Sequence, residues 1–210
     1  MKKFLKTLGI LASLAVLAIA ITFLLTPWMD RWGATEEEIA ATYPGDKLVL
    51  DPVSIINRVV TINASPEQIY PWIVQLGAGK GGYYSYSGFE TNILRCEIIN
   101  ANRIHEEWQG LEVGDKVKMC PNESAPPAYT VALIEPNHVI AMGHQENELW
   151  VNLWQFVIVP QEDGTTRLIL RTRDMVSGGF WTVIHPGIFI MERGMLLGIK
   201  ERAEKLAISQ

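Results

Sequence analysis

The hydrophobic pattern of the chain begins with a long apolar run. From Thr7 to Trp28 there are 22 residues without a charged side chain, and a helix of that length spans roughly 33 Å, enough to cross the apolar core of a bilayer. The run is preceded by three lysines, Lys2, Lys3 and Lys6. Residues 1–28 are therefore predicted to be a transmembrane anchor, with the lysines in the cytoplasm and the rest of the chain across the membrane.

A cleaved signal peptide is the alternative for this segment, because Ala18-Ile19-Ala20 has the small-x-small form of a cleavage site. The apolar run continues to Trp28, however, beyond the roughly 7–15 residues of a cleaved apolar region. This length favours an uncleaved anchor. We therefore expect a single-pass protein of the cell membrane whose folded part is extracytoplasmic.

The pattern after the anchor predicts one connector and one folded domain. Residues 29–54 are predicted to be the connector, because Glu36-Glu37-Glu38 opens only a short helix and Tyr43-Pro44-Gly45-Asp46 marks a turn. The domain is predicted over residues 55–208, a length sufficient for one hydrophobic core. A second domain is not required.

Within the domain the pattern predicts an α+β fold. Ile55–Asn63 alternates around β-branched residues as a strand does, and Ser65-Pro66-Glu67-Gln68 then starts a helix with a capping box. Short strands divided by turn residues follow, Lys116–Met119, Tyr129–Ile134, His138–Met142, Leu149–Pro160 and Thr165–Met175. The chain ends in a long helix whose apolar residues recur every three or four positions, Ile184, Ile188, Met191, Met195, Ile199, Ala203 and Leu206.

The last two strands are predicted to form a hairpin with one aromatic face. In the first arm four residues share one parity, Trp150, Trp154, Phe156 and Ile158. In the second arm Arg171 and Arg173 have the parity opposite to the neighbouring leucines. These two arginines are therefore expected on the solvent side of the sheet.

The segment Gly81–Trp108 is the predicted ligand contact, because it combines apolar area with polar groups as small-molecule pockets do. Its candidate ligand-binding residues are Tyr83, Tyr84, Tyr86, Arg103, His105 and Trp108. In one interpretation, Arg103 and His105 hold a ligand carboxylate or a polar lipid head group. In the other, Arg103 ties the loop to Glu90 or another carboxylate.

Composition and motifs exclude several functional classes. A net charge of -5 and a pI near 5.4, without a basic stretch after residue 6, argue against nucleic-acid binding. His105 is not followed by a second histidine four positions later, and no serine lies in a nucleophile-elbow motif. We predict no catalytic residue, no metal and no cofactor.

The chain has two cysteines, Cys96 and Cys120. A disulfide between them is possible in an oxidising compartment. The alternative is two separately buried thiols that act as small hydrophobic side chains. Their spacing does not decide between the two.

Four segments carry a resemblance to a known family, together with WGATEEE and PGDKL of the connector: ASPEQIYPWIVQLG (Ala64–Gly77), GGYYSYSGFETNI (Gly81–Ile93), NANRIHEEWQGLEVGD (Asn100–Asp115) and FIMERGMLLGIKERAE (Phe189–Glu204). In these segments the chain resembles the bacterial SRPBCC, or START-like, proteins of the polyketide-cyclase and lipid-transport superfamily. The family often has acidic residues at two positions where this chain has Ser87 and Asn102. The resemblance therefore does not extend acid–base chemistry to those two residues.

The resemblance implies a helix-grip fold, in which a curved antiparallel sheet wraps a long C-terminal helix and encloses a mainly apolar cavity. Five further candidate ligand-binding residues are then placed on the cavity wall, Trp150, Trp154, Phe156, Met191 and Met195. The alternative is that these side chains fill an ordinary core. Because the fold hosts carriers, receptors and enzymes, function has to be argued from the site.

Three functional hypotheses follow. The leading one is a membrane-tethered domain that binds a hydrophobic or amphipathic small molecule, such as a lipid. The second is a cyclase- or hydratase-type enzyme in which His105 or a tyrosine hydroxyl moves a proton; a buried His105 bonded to a carboxylate at the cavity wall would favour it. The third is a structural partner in a membrane complex, which an exposed apolar patch outside the cavity would favour.

Overall fold

The computed structural model describes residues 2–92, 95–121 and 127–209; Ile93, the last residue of the GGYYSYSGFETNI motif, lies outside them. The helices are α1 (Lys2–Asp30), α2 (Glu36–Ala40), α3 (Pro66–Val74), α4 (Ser87–Asn92) and α5 (Phe180–Ser209). The strands are β1 (Ser54–Ile62), β2 (Lys116–Val117), β3 (Tyr129–Glu135), β4 (Val139–Glu146), β5 (Leu149–Pro160) and β6 (Thr166–Asp174). Two 3-10 helices span Pro44–Leu48 and Glu106–Trp108.

The six strands form one antiparallel sheet in the order β1-β6-β5-β4-β3-β2. One face packs against α3 and α5 and is called the helix face. The opposite face is covered by residues 34–49 and is called the connector face. The α+β prediction is confirmed, and a six-stranded antiparallel sheet with a long C-terminal helix is consistent with the helix-grip arrangement.

The helix face holds the main hydrophobic core. Alternate residues of the strands point into it, among them Val60, Ile62, Ile140, Met142, Phe156, Ile158, Leu168 and Leu170. Helix α3 begins as the sequence predicted, because the Ser65 backbone N–H donates to Gln68 Oε1 at 3.0 Å. From α5, Met195, Ile199 and Ala203 are buried in the same core.

The connector face corrects the expectation for the two arginines of β6. Arg171 and Arg173 are buried there rather than solvated. The Nε of Arg171 lies 3.2 Å from Asp46 Oδ1, and Arg173 donates to the Val49 carbonyl at 2.9 Å and 3.1 Å. Strand parity was predicted correctly, but the covering segment comes from residues that sequence reasoning treated as a linker.

The shared parity of the β5 aromatic residues is also corrected at Trp150. His144 pairs with Asn152 whereas the next residue of β4, Gln145, pairs with Trp150, so β5 contains one extra residue at this point. Such a bulge reverses the side-chain alternation. Trp150 therefore packs on the connector face beside Ala141, while Trp154 and Phe156 lie on the helix face.

Helix α5 has two different halves. Its second half packs in the core through Met195, Ile199 and Ala203, and its exposed side carries a Glu201–Lys205 ion pair at 2.5 Å. Its first half is only partly buried at Ile184 and Ile188, which the heptad-like pattern had placed against the core. Among the described residues, length and hydropathy select Trp181–Ser209 as able to cross a membrane, and Ile19–Asp30 as a shorter apolar helix.

Candidate functional site

The candidate site lies on the helix face, where strands β5 and β6 approach the first half of α5. The sheet register pairs Asn152 with Asp174 and Trp154 with Thr172, so four side chains project to the same side. Asn152 Nδ2 donates to Asp174 Oδ1. Asn152 Oδ1 and Thr172 Oγ1 are buried and have no hydrogen-bond partner among the described residues.

An ion pair from β1 and α5 forms one side of the site. Arg58 is fully buried, and its guanidinium pairs with the Glu192 carboxylate through Nη1. The other Glu192 oxygen accepts from Trp154 Nε1 at 2.9 Å. Arg58 Nε also donates to the Met29 carbonyl at 3.0 Å, which joins the end of α1 to the site.

Aromatic rings form the floor of the site. The Trp154 ring lies 5.6 Å from Tyr129, 6.3 Å from Tyr83 and 4.8 Å from Phe156, measured between centroids. Burial raises the pKa of Tyr83 and Tyr129, so both phenols stay protonated in the physiological range. His144 closes this edge, with its ring 4.4 Å from Tyr129.

Two carboxyl groups near the aromatic floor, those of Asp174 and Glu90, have raised pKa values. Burial, and then the nearby Glu192 carboxylate, raise the pKa of Asp174, although its bond from Asn152 opposes the shift. Glu90, in α4, is only 2 % exposed, and burial raises its pKa to about 7. Glu90 Oε2 has no hydrogen-bond partner among the described residues.

The disulfide fixes the segment that carries Glu90. Cys96 and Cys120 are bonded, with their Cα atoms 5.2 Å apart, which decides the alternative that the sequence left open. The Cys96 backbone N–H donates to the Glu90 carbonyl at 2.9 Å. The Glu90 carboxylate also contributes to the raised pKa of Tyr83, so it lies near that phenol.

Five of the sequence-predicted ligand-binding residues belong to one buried cluster, Trp154, Phe156, Tyr83, Tyr84 and Met195. The Tyr83 hydroxyl donates to the Lys118 carbonyl at 2.9 Å, so its polar group is satisfied by protein. Met191 is partly exposed on α5, and its carbonyl accepts from Ser85 Oγ at 3.0 Å.

Tyr84 has a structural environment. Its hydroxyl donates to the Trp72 carbonyl at 3.0 Å and lies 2.9 Å from Gln75 Nε2. The backbone of Tyr84 has a φ of 55° and its N–H donates to Asn100 Oδ1 at 2.6 Å. Gly198 packs directly on this backbone, because an added Cβ would lie 2.0 Å from the Tyr84 carbonyl oxygen.

The polar part of the predicted segment lies elsewhere. The Arg103 side chain is exposed, and its backbone carbonyl accepts from Gln75 Nε2 at 3.2 Å. The His105 ring stacks on Trp108 at 4.0 Å and lies 3.0 Å from the exposed Glu107 carboxylate. The structure therefore does not bring Arg103, His105 and Trp108 to the aromatic floor.

Tyr86 lies in a separate surface groove of about 310 Å³, where α1 meets α5. The groove is lined by Trp28, Trp32, Tyr86, Phe189, Ile190 and Arg193. Trp28 and Trp32 both pack edge-on against Phe189, at 5.2 Å and 6.3 Å between ring centroids. The C-terminal end of α1 and the residues just after it therefore pack on α5 through aromatic rings, and this contact is called the α1–α5 junction.

Sequence reasoning did not identify several polar residues of the site: Arg58, Glu90, Tyr129, Asn152, Thr172, Asp174 and Glu192. A signal was present in the strands. Asn152 has the parity of Trp154, and Asp174 has that of the buried leucines of β6, so both were assignable to the core side once the hairpin was predicted. No group of three or more metal-ligating side chains occurs among the residues that the structure describes.

Comparison with known proteins gives only fold-level similarity. Neither a family model nor a curated protein matches the chain. Among solved structures, the Aha1 dimer from Colwellia psychrerythraea is 19 % identical with a TM-score of 0.46, and the match covers 72 % of this chain and 97 % of that one. The resistance protein CalC from Micromonospora echinospora is 8 % identical with a TM-score of 0.45, covering 72 % and 95 %.

Norcoclaurine synthase from Thalictrum flavum, solved with dopamine and hydroxybenzaldehyde, is 15 % identical with a TM-score of 0.43, and the match covers 81 % of this chain and 95 % of that one. At these identities and TM-scores the matches carry no information about ligand or activity. Function must therefore be argued from the contacts described above.

Proposed function

We propose that this chain is a membrane-tethered START-like protein that binds a hydrophobic or amphipathic small molecule between the helix face and α5. The observation that supports binding is the aromatic floor beside two buried polar atoms that have no hydrogen-bond partner in the described part of the chain, Asn152 Oδ1 and Thr172 Oγ1. An unpaired buried polar atom costs roughly 1–3 kcal/mol. A ligand that hydrogen-bonds to these atoms removes that cost, and the rings accept its apolar part.

Access to the site also supports binding. Tyr129, Asn152, Asp174 and Glu192 are all partly exposed, whereas the adjacent Phe156 and Leu170 are fully buried. The polar end of the interior is therefore reachable from solvent and the apolar end is closed. This gradient from polar to apolar matches an amphipathic molecule better than a fully polar one.

Tethering through α1 is supported by its exposed apolar surface. The helix has 29 residues and is roughly 44 Å long. Phe23 is 60 % exposed and Leu24 79 %, a condition that water disfavours and a bilayer favours. The apolar surface continues onto the first half of α5, where Trp181, Val183 and Ile190 are also exposed.

An extracytoplasmic location is supported by the disulfide between Cys96 and Cys120. Such bonds persist in oxidising compartments and are rare in the cytosol. This orientation also agrees with the three lysines that precede the apolar run. The protein would then take its ligand at the outer surface of the membrane.

The test is recovery of the bound molecule from full-length protein. The protein is purified from its host membrane into lipid nanodiscs and extracted with organic solvent, and the extract is compared by mass spectrometry with that of the T172W variant. The added indole occupies the space beside Trp154, so a molecule enriched in the unmodified protein is the expected ligand. The Y86W variant, altered in the surface groove, is the matched control.

Identical extracts from the unmodified protein and T172W would contradict binding at this site. If T172W does not fold, the Asn152→Leu variant serves instead, because it removes a polar contact without adding an aromatic ring. Enrichment lost in the Tyr86→Trp variant but kept in T172W would place the ligand in the groove at the α1–α5 junction instead. Each result therefore shows whether the recovered molecule binds between the helix face and α5.

A cyclase- or hydratase-type enzyme acting in the same interior is the second candidate. The observation that favours it is Glu90, whose pKa of about 7 matches that of a general acid or base at neutral pH. His105, by contrast, pairs with the exposed Glu107 away from the aromatic floor. A recovered molecule that the protein converts into a second species on incubation would favour the enzyme over the carrier.

A further inference from the structure

The interior around the aromatic floor contains more acidic than basic side chains. Three carboxyls surround the aromatic floor, those of Glu90, Asp174 and Glu192. The basic side chains in the same region are Arg58 and His144. Because a buried charge needs a partner of opposite sign, the way in which these five groups pair determines the kind of ligand that fits.

One carboxyl is already neutralised by protein. Glu192 pairs with the fully buried Arg58 and accepts from Trp154 Nε1 at 2.9 Å. Arg58 is further held by the Met29 carbonyl at 3.0 Å. Arg58 Nη2 has no hydrogen-bond partner among the described residues, but it lies 3.9 Å from Asp30 Oδ1, so two carboxylates already face this guanidinium.

Asp174 is less completely paired. It accepts one hydrogen bond from Asn152, a neutral group. His144, the nearest basic residue on this side, packs on Tyr129 and has Nε2 3.2 Å from the Pro127 carbonyl. Burial raises the pKa of Asp174, and the opposite effects of the Asn152 hydrogen bond and of His144 do not cancel that shift.

Hydrogen-bond acceptors also collect around Asp174. Its cross-strand partner Asn152 uses its Nδ2 as a donor to Asp174, and its Oδ1 has no partner among the described residues. Within the same described ranges, the Thr172 hydroxyl oxygen on this face of β6 has no partner either. A carboxylate and two neutral oxygens match the three N–H donors of an ammonium group.

We propose that the interior site selects a ligand that carries a primary amine on an apolar or aromatic body, with Asp174, Asn152 and Thr172 as the ammonium site. This inference rests on the proposed function and specifies its ligand class. Trp154 and Tyr129 pack on the apolar body and attract the cation through their ring faces.

The test uses three probes of similar size whose head groups carry a positive, zero and negative charge: 3-phenylpropylamine, 3-phenylpropan-1-ol and 3-phenylpropanoate. Each is titrated calorimetrically at pH 7.5 into full-length protein in zwitterionic nanodiscs, with empty nanodiscs subtracted. We expect the amine to bind at least tenfold more tightly than the carboxylate, with the alcohol between them. The Asp174→Asn variant should lose the preference for the amine while its affinity for the alcohol stays within about threefold.

The matched control is Asp51→Asn, which removes the same charge from an exposed position. It should leave all three affinities unchanged, whereas Thr172→Val should weaken the amine about fivefold. Equal or tighter binding of the carboxylate, or an unchanged amine affinity in Asp174→Asn, overturns the amine site while alcohol binding upholds the interior pocket. Failure of all three probes to bind overturns the pocket as well.

Discussion

Strand β6 carries polar side chains on both of its faces, and the two sets differ in how many hydrogen-bond and ion-pair partners they have. Arg171 and Arg173 on the connector face are met by the Asp46 carboxylate and by backbone carbonyls. In the part of the chain that the structure describes, the side chains of Thr172 and Asp174 on the helix face have one hydrogen bond between them, which Asn152 donates to Asp174. The difference separates polar groups that hold the fold together from polar groups that are available to a ligand.

The two faces of β6 differ because different segments pack over them. Residues of the connector are packed over the arginines, and Gln155 on β5 completes the network by donating to Asp46 Oδ1 at 2.7 Å. On the helix face, the first half of α5 leaves Asp174 and Asn152 partly exposed. A closed polar network is expected to respond to mutation through stability, and an open one through binding.

The largest effect is expected from Asp46→Ala on the connector face. It leaves two buried arginines without a counter-charge, and we expect the free energy of unfolding to fall by about 3–5 kcal/mol. Chemical denaturation measures this change. The Asp51→Ala variant, exposed in the same connector, should change stability by less than about 0.5 kcal/mol. A loss below about 1 kcal/mol for Asp46→Ala would mean that the connector network is not structural.

The next effect concerns the buried carboxyl of Glu90. Its pKa is raised to about 7 from an ordinary value of 4.5, so the folded state binds the proton more tightly. Unfolding free energy should therefore be highest below pH 4.5 and decline as the pH rises through about 7. Glu90→Gln should remove this decline and be more stable than the unmodified protein by about 3 kcal/mol at pH 8.

Denaturation at several pH values distinguishes Glu90 from the general charge of the protein. The control is Glu162→Gln, an exposed position in the β5–β6 turn, which should keep the decline. Asp174 adds a slope of the same sign, because its pKa is also raised. The relevant quantity is therefore the difference between Glu90→Gln and the control, and parallel pH profiles would contradict the buried state of Glu90.

The smallest effect separates two threonines of β6 on the same face. Thr166 Oγ1 donates to the Ala64 carbonyl at 2.7 Å, whereas Thr172 Oγ1 has no partner among the described residues. Thr166→Val should cost about 1–2 kcal/mol, and Thr172→Val should be neutral or stabilising by up to about 1 kcal/mol. Equal losses in thermal or chemical denaturation would show that Thr172 is satisfied by protein, which would remove one acceptor from the proposed site.

The amino-acid sequence was sufficient for the local structure. The capping box at Ser65 and the hairpin of β5 and β6 follow from periodicity and turn residues, which depend on neighbours in the chain. The same information failed at Trp150, because one extra residue in β5 reverses the side-chain alternation. A bulge depends on pairing with β4, and the sequence of one strand does not contain that pairing.

The residues of the candidate site likewise fall into those that the sequence indicated and those that only the tertiary structure brought together. Composition indicated Tyr83 and the family resemblance indicated Trp154 and Phe156, and these three side chains belong to one buried cluster, which leaves their contact with a ligand a prediction. The pairing of Arg58 with Glu192 joins residues 134 positions apart, so no local pattern could place them together. A local pattern also could not show that Arg103 lies away from the site, because the burial of a charged side chain depends on which distant segments cover it.

Element type, strand parity and the apolar N-terminal helix are consequences of short-range sequence order. Which polar groups are satisfied and which remain open was settled by long-range packing, where the connector covers one face of β6 and α5 only partly covers the other. The physical reason is that desolvation is a property of the whole fold. A carboxylate such as Asp174 acquires its shifted pKa and its unpaired neighbours only when distant strands and a helix exclude water around it.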